Sequence, residues 1–283
     1  MAPTSTSPSL LALIPTPPSI LLPTTNDALM SGSADIDIIK SCVPAVSDPK
    51  KLLYPDALVL MLAIRKATTG DKFVFYDTCA DCIQKALEVK DEKGNLVTDP
   101  KKLREEYDIE VEQQPFAFSI QQKLNTMTML DEKYELIEGP LTFELRPLTL
   151  EESNLVNINA FYQYNMIKVI EDDTKLSLIE KKEKIYEYNK KIVESGTDIV
   201  VNGITKIICK QNGEKTEVTD KAQIKEFIQN SKSELVSKIS KMIEKLNTSG
   251  VSTVGKCKCA HCGKEWEIEK ISYDLSNFFA YGS

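Results

Sequence analysis

Histidine is nearly absent from this 283-residue chain; His261 stands alone. The most frequent general base and a leading metal ligand are therefore all but missing. Arginine is scarce too, occurring at Arg65, Arg104 and Arg146, while every other basic residue is a lysine. Arginine makes most of the bidentate contacts to bases and phosphates. Its scarcity, with a formal net charge of −7, excludes a large basic face for nucleic acid. No apolar run reaches the roughly 18 residues that a membrane span requires. There is no glycine-rich phosphate loop, no HExxH and no nucleophile elbow. Nothing in the sequence assembles a catalytic centre, so the chain reads as a non-enzyme. Seven cysteines in a chain of this length are too few for a disulfide scaffold.

What is present begins with a Pro-, Ser- and Thr-rich stretch over 1–25. Its apolar patch at Leu10–Ile14 has no basic flank and is interrupted by Pro15, Pro17 and Pro18. It reads as an extended arm, not a signal peptide. Residues 26–69 look helical. Pro55 and Asp56 open ALVLMLAIRKAT, apolar on nearly every side and so buried, and Gly70 ends it. FVFY predicts a strand before Cys79, and ALEVK a returning strand after Cys82. A short helix follows over 99–108. FAFSI, YELIE and LTFELRPL alternate as antiparallel strands with a turn at Gly139-Pro140.

Thr149-Leu-Glu-Glu152 is a capping box and starts a helix. A second helix is predicted from Lys175 to Glu194, closed by Gly196. Asn202-Gly203 and Asn212-Gly213 read as hairpin turns, and Asp220 as the cap of one long helix to Leu246. β character returns after 251, and the chain closes on the aromatic Phe278-Phe279-Ala-Tyr281.

The chemistry lies in the cysteines. Cys79-Ala-Asp-Cys82 and Cys259-Ala-His-Cys262-Gly263 are two CxxC units near opposite ends of the chain. A CxxC turn sets two thiolates on one side of a tight loop, and two such turns supply the four ligands of a closed tetrahedral zinc site. Residues 83–258 would then form an insertion whose ends meet. Closure entropy rises only logarithmically with length, so this is tolerable. Other readings stand beside this one. Each pair could be a redox dithiol. Cys79 and Cys82 could be buried free thiols. Cys259 and Cys262 could bind a metal with Cys257 and His261 alone.

Leu52-Leu-Tyr-Pro-Asp-Ala-Leu-Val-Leu-Met-Leu-Ala-Ile-Arg65, then Ala67-Thr-Thr-Gly70-Asp, a strand and Cys79-x-x-Cys82, resemble the baseplate hub proteins of contractile-tailed, T-even-like phages. Leu145-Arg-Pro-Leu-Thr149, the ending Cys259-x-x-Cys262-Gly with Asp274-Leu-Ser-Asn-Phe-Phe279, and Pro15-Thr-Pro17 are similar as well. The resemblance implies a structural virion component of the tail baseplate, a late protein assembled in the host cytoplasm beside other tail proteins.

The chain is thus expected to be α+β: a zinc-ribbon-like β unit with antiparallel strands and a helical insertion. Its parts are an arm (1–25), an α+β domain (26–148 with 250–283) and a mainly helical insertion (149–249). Cys79, Cys82, Cys259 and Cys262 would hold a structural zinc ion. The arm and the aromatic tail would dock on neighbouring subunits. The alternatives are a zinc-ribbon adaptor for nucleic acid or a transcription complex, and a thiol redox enzyme.

Overall fold

The computed structural model describes residues 34–128, 134–211, 214–252 and 254–268. The arm, the Asn212-Gly213 turn and the aromatic tail lie outside these. The chain forms two compact units. One takes residues up to 64 and 127–251, the other 65–126 and those from 252 onward. The fold is mixed α+β, and its strands are antiparallel throughout the described residues.

The first unit starts with α1 (Ala34–Cys42) and a 3-10 turn at Pro49–Lys51, followed by α2 (Tyr54–Thr69). α2 has Pro55 and Asp56 in its first turn and is buried along Met61–Arg65, as its apolar composition predicts. It stops where Gly70 turns to φ +94°. The unit's sheet has four strands in the order β3 (Tyr134–Glu138), β4 (Leu141–Leu145), β5 (Ile204–Gln211) and β6 (Glu214–Val218). Gly139, at φ +59°, makes the β3–β4 turn.

Between β4 and β5 run two long helices, α6 (Leu150–Asp172) and α7 (Leu178–Gly203). After β6 come α8 (Lys221–Gln229) and α9 (Ser233–Asn247). Phe143 pairs with Ile207 in the sheet. Both are buried with Val200, Val201, Ile204, Ile224, Ile228, Ile239, Ile243 and Leu246 in one core.

Three expectations fail in this unit. α7 does not end at Gly196 but runs to Gly203, and β5 begins at the next residue, so Asn202-Gly203 is no hairpin. Val200 and Val201 are needed in the core, and burying them outweighs the turn signal. The start of α7 also moves, because Ser177 and Glu180 form a capping box just before Leu178. The predicted long helix from Asp220 is two helices. Asn230 and Ser231 return side-chain hydrogen bonds to the carbonyls of Glu226 and Phe227 and end the first. The break lets Ile224 and Ile228 reach the same core as Ile239 and Ile243.

The second unit holds the ladder of β1 (Lys72–Asp77) with β2 (Gln114–Ser119) and that of β7 (Gly255–Lys258) with β8 (Glu265–Ile268). It also holds α3 (Ala80–Ala86), α4 (Pro100–Tyr107) and α5 (Ile120–Asn125). The first CxxC departs from its predicted setting: Cys79 caps α3, and Cys82 lies in that helix's first turn. No glycine follows Cys82 to permit a strand-side knuckle, and Ala80, Gln84, Lys85 and Ala86 favour helix. β1 accordingly pairs with β2 and not with a strand after Cys82.

Candidate metal centre

Each half of the cysteine cluster is placed by ordinary local structure. Phe73 and Phe75 pair with Phe118 and Phe116 across the β1–β2 ladder, and this sheet delivers the chain to Cys79. At the other end, β7 alternates buried and exposed residues, which turns Cys257 and Cys259 inward. The turn after Cys259 is a tight loop: Gly263 N–H donates to the Cys259 carbonyl at 3.1 Å, and Cys259 N–H to the Lys264 carbonyl at 2.8 Å. Gly263 stands at φ +73°, a conformation that favours glycine.

The two halves meet. Cys79 Sγ lies 3.5 Å from Cys262 Sγ, and Cys82 Sγ lies 3.7 Å from Cys259 Sγ, although the latter pair is 177 positions apart in sequence. All four sulfurs lie within 4.8 Å of one another. A disulfide requires about 2.05 Å, and all seven cysteines are free. Four sulfurs at about 2.3 Å from one tetrahedral ion stand about 3.8 Å apart. The donor set and its spacing therefore fit a single thiolate-bound cation. Cys79, Cys82 and Cys259 are buried, and Cys262 is partly so.

The surroundings prepare sulfur for negative charge unevenly. Burial pushes the Cys82 thiol up to about 12, against the backbone N–H of Glu110. Burial raises Cys79 as well. At Cys259 burial acts in the same direction but is outweighed. The backbone N–H of Cys262, the Gln114 amide and the backbone N–H of His261 bring this thiol down to about 6. A divalent cation at the cluster's centre would let all four thiols ionise.

One neighbour was not legible in the sequence. Gln114 donates from Nε2 to Cys259 Sγ at 3.3 Å and accepts from the Ala260 N–H at 3.1 Å, holding the second CxxC turn from beneath. A lone glutamine before a proline gives no signal of this. His261, weighed as a ligand, is not in the group of four and pairs with carboxylates instead. Its Nδ1 lies 3.0 Å from Asp108 and its Nε2 3.5 Å from Glu110. Cys257, the other rival ligand, lies outside the group of four. Burial, then Asp77, raises its thiol to about 11, so it behaves as a core thiol.

Comparison with known proteins decides the wider context. The family described as T4 bacteriophage base plate protein matches residues 20–280. The chain belongs to this family. No curated protein and no solved structure matches it. In this base plate protein the Arg-Pro-Leu-Thr segment has a defined task. Arg146 forms a two-pronged pair with Glu152, at 2.8 and 2.7 Å. Glu152 also closes the capping box of α6 by accepting the Thr149 N–H. Leu148 donates to Asn247 at the end of α9 and accepts from the Tyr54 N–H at the start of α2. Four residues thus tie three helices and β4 together. Arg65, at the end of the Ala-Ile-Arg run, is buried with its guanidinium 4.9 Å over the Phe73 ring.

Proposed function

We propose that this base plate protein is a structural part of a contractile phage tail, braced internally by one zinc ion on Cys79, Cys82, Cys259 and Cys262. The observation that carries the zinc reading is the approach of four thiols from opposite ends of the chain to within 4.8 Å of one another. Family membership places the chain among virion components and not among enzymes. Four protein ligands leave no open position for water, so zinc here would be structural. An all-sulfur tetrahedral set excludes magnesium and calcium and suits zinc or iron, and of these two the redox-inert zinc fits a structural brace.

The second unit gives a reason for such a brace. Around the thiols its cluster of buried residues is Cys79, Cys82, Ala86, Val97, Leu103, Ile109 and Cys259. Three of these seven are the thiols themselves, so at this end of the unit little apolar side chain holds the two CxxC segments together, while Phe73 and Ile120 are buried elsewhere in it. Small cores of this kind depend on a staple. We read β7–β8 with Cys259 and Cys262 as the ribbon-like half, and α3 with Cys79 and Cys82 as a helical counterpart. The arm over 1–25 and the aromatic tail at Phe278–Tyr281 dock, in this reading, on neighbouring base plate proteins.

Two measurements test it. Elemental analysis of the purified chain should find one zinc per chain. Mass spectrometry of purified particles should find the protein in the tail. A metal-free chain that folds fully would end the zinc reading, and absence from the particle would reduce the protein to an assembly factor. A nucleic-acid adaptor would instead show salt-dependent DNA binding, for which a charge of −7 and scarce arginine provide no surface. A redox enzyme would need separate dithiols rather than one shared cluster.

A further inference from the structure

The described chain begins at α1, and the footing of α1 on α6 shows where the chain before it heads. Backwards from α2, the contacts climb α6 in order. Tyr54 N–H donates to the Leu148 carbonyl, and Leu150 N–H to the Leu52 carbonyl, both at 2.8 Å. Lys50 pairs with Glu151 at 2.9 Å. Asn154 Nδ2 then donates to both carboxylate oxygens of Asp35, at 3.0 and 3.1 Å. Ala34, the first described residue, is buried. The order 148, 150, 151, 154 lays this chain along α6 from the helix start toward its end.

The next stretch of α6 on that line is open. At 100° per residue, Phe161 stands within about 20° of Asn154, two turns further on. It is 55% exposed, with Tyr162 (55%) and Tyr164 (62%) on either side of it. No charged residue occurs from Ser153 to Ile167. A solvated helix face interleaves Lys and Glu, as α7 does from Lys181 to Lys191. Lys168 follows within about 40° of the same line. It is the one basic residue of α6. It is exposed and makes no ion pair among the described residues.

The geometry points to residues Asn26–Ser33 of the same chain as the occupant, with Leu29 and Met30 on Phe161 between the two tyrosines and Asp27 at Lys168. The lengths agree. Along α6, Phe161 lies about 10 Å and Lys168 about 21 Å beyond Asn154. Met30 and Leu29 precede Asp35 closely in sequence and can reach about 17 to 20 Å from it, and Asp27 about 26 Å. The charges agree as well. Asp27 is the one charged side chain among residues 1–33, and it faces the one basic side chain of the helix. A segment tethered at Ala34 acts at an effective concentration in the millimolar range, which favours it over any partner arriving from solution. Residues 1–25 then leave the molecule from one fixed place beside the end of α6. That is where an arm reaching a neighbour would start. The inference concerns 26–33, and it stands apart from what that arm meets and from the metal.

Hydrogen exchange of the full chain, followed by mass spectrometry at about 1 and 50 μM, tests the proposal. Amides of residues 27–33 should exchange at least about tenfold more slowly than in a free chain, equally at both concentrations. Phe161→Asp should abolish this protection while the amides of α7 to α9 and the melting temperature stay unchanged. Asp27→Lys and Lys168→Asp should each reduce it about two- to fivefold. Together they should restore it, because the pair then meets with its signs exchanged. Free-chain exchange over 27–33 in the wild type overturns the proposal, as does protection that Phe161→Asp leaves in place. Protection that grows with concentration gives the face to a second copy and overturns it too. A double variant no better protected than the single ones removes Asp27 from Lys168, and the placement with it. Should Phe161→Asp fail to fold, the 27/168 exchange decides alone.

Discussion

Removing one cysteine from the cluster should open the second unit while leaving the first intact, and the chain carries its own reporter for this. Its one tryptophan, Trp266, sits in β8 just after the second CxxC. Its indole donates to Asp77 at 2.8 Å and meets the Phe116 ring edge-on at 5.4 Å. Consider Cys82→Ser. On the zinc reading the ion loses one of its four ligands, and the closure between positions 82 and 259 is released. With the first unit still folded, the free chain between these positions is 83–126 and 252–258, and in the chain-entropy account of a cross-link closing it is worth about 4 kcal/mol, comparable to the whole stability of a small domain. Zinc content should fall from one per chain to none, and Trp266 emission should shift to the red of a solvated indole. Helical circular dichroism, dominated by α6 to α9, should change little, because the first unit's core contains no cysteine ligand. Cys259→Ser should act identically. If one variant keeps its zinc while the other loses it, the pairs are independent and the shared site is wrong. If both lose zinc and Trp266 emission does not move, the ion is not a brace.

Other outcomes follow from the same geometry. Gln114→Ala removes the amide that supports Cys259 and should weaken zinc affinity about 10- to 100-fold in a chelator competition, without abolishing binding. Gly203→Ala places a methyl carbon 2.5 Å from Ile243 Cδ1 in the first unit's core, and urea titration should show a loss of about 1–3 kcal/mol. The Glu152 carboxylate is pushed up by burial but pulled down further by Arg146 and the Thr149 N–H, so its folded value lies below the ordinary 4.5. Its stabilisation is therefore complete above that ordinary value and is lost as pH falls through the lower folded one. Glu152→Gln should flatten this acid-side slope in urea midpoints measured between about pH 3 and 6.

The sequence was most legible where one signal acted alone. The Thr149 capping box, the α2 helix opened by Pro55 and the Gly139-Pro140 turn are local devices, and each appears where its residues predict. It was least legible where tertiary burial opposed a local signal. Asn202-Gly203 has the chemistry of a hairpin turn, but Val200 and Val201 are required in the core and hold the chain helical. Cys79 shows the same conflict at the site. The spacing indicated two paired thiols, while the residues after Cys79 formed a helix and not a knuckle. Residue types raise the question of whether the two CxxC units meet. They leave it open, because spacing carries no information on whether the intervening chain returns. Gln114 could not be found at all, since its role arises only when β2 lies beneath the second turn.

The chain leaves the second unit at residue 126 and re-enters it at 252, and this orders events during synthesis. At about 5–20 residues per second, Cys79 and Cys82 exist for on the order of ten seconds or more before Cys259 and Cys262 are made. The first unit's residues are complete by then, so it can fold while half of the second waits. Closure of the cluster is possible only once translation has passed residue 262. If the cluster holds its proposed ion, a chain that stalls earlier lacks two of the four thiols, so metal loading would separate finished molecules from truncated ones before either reached a growing tail.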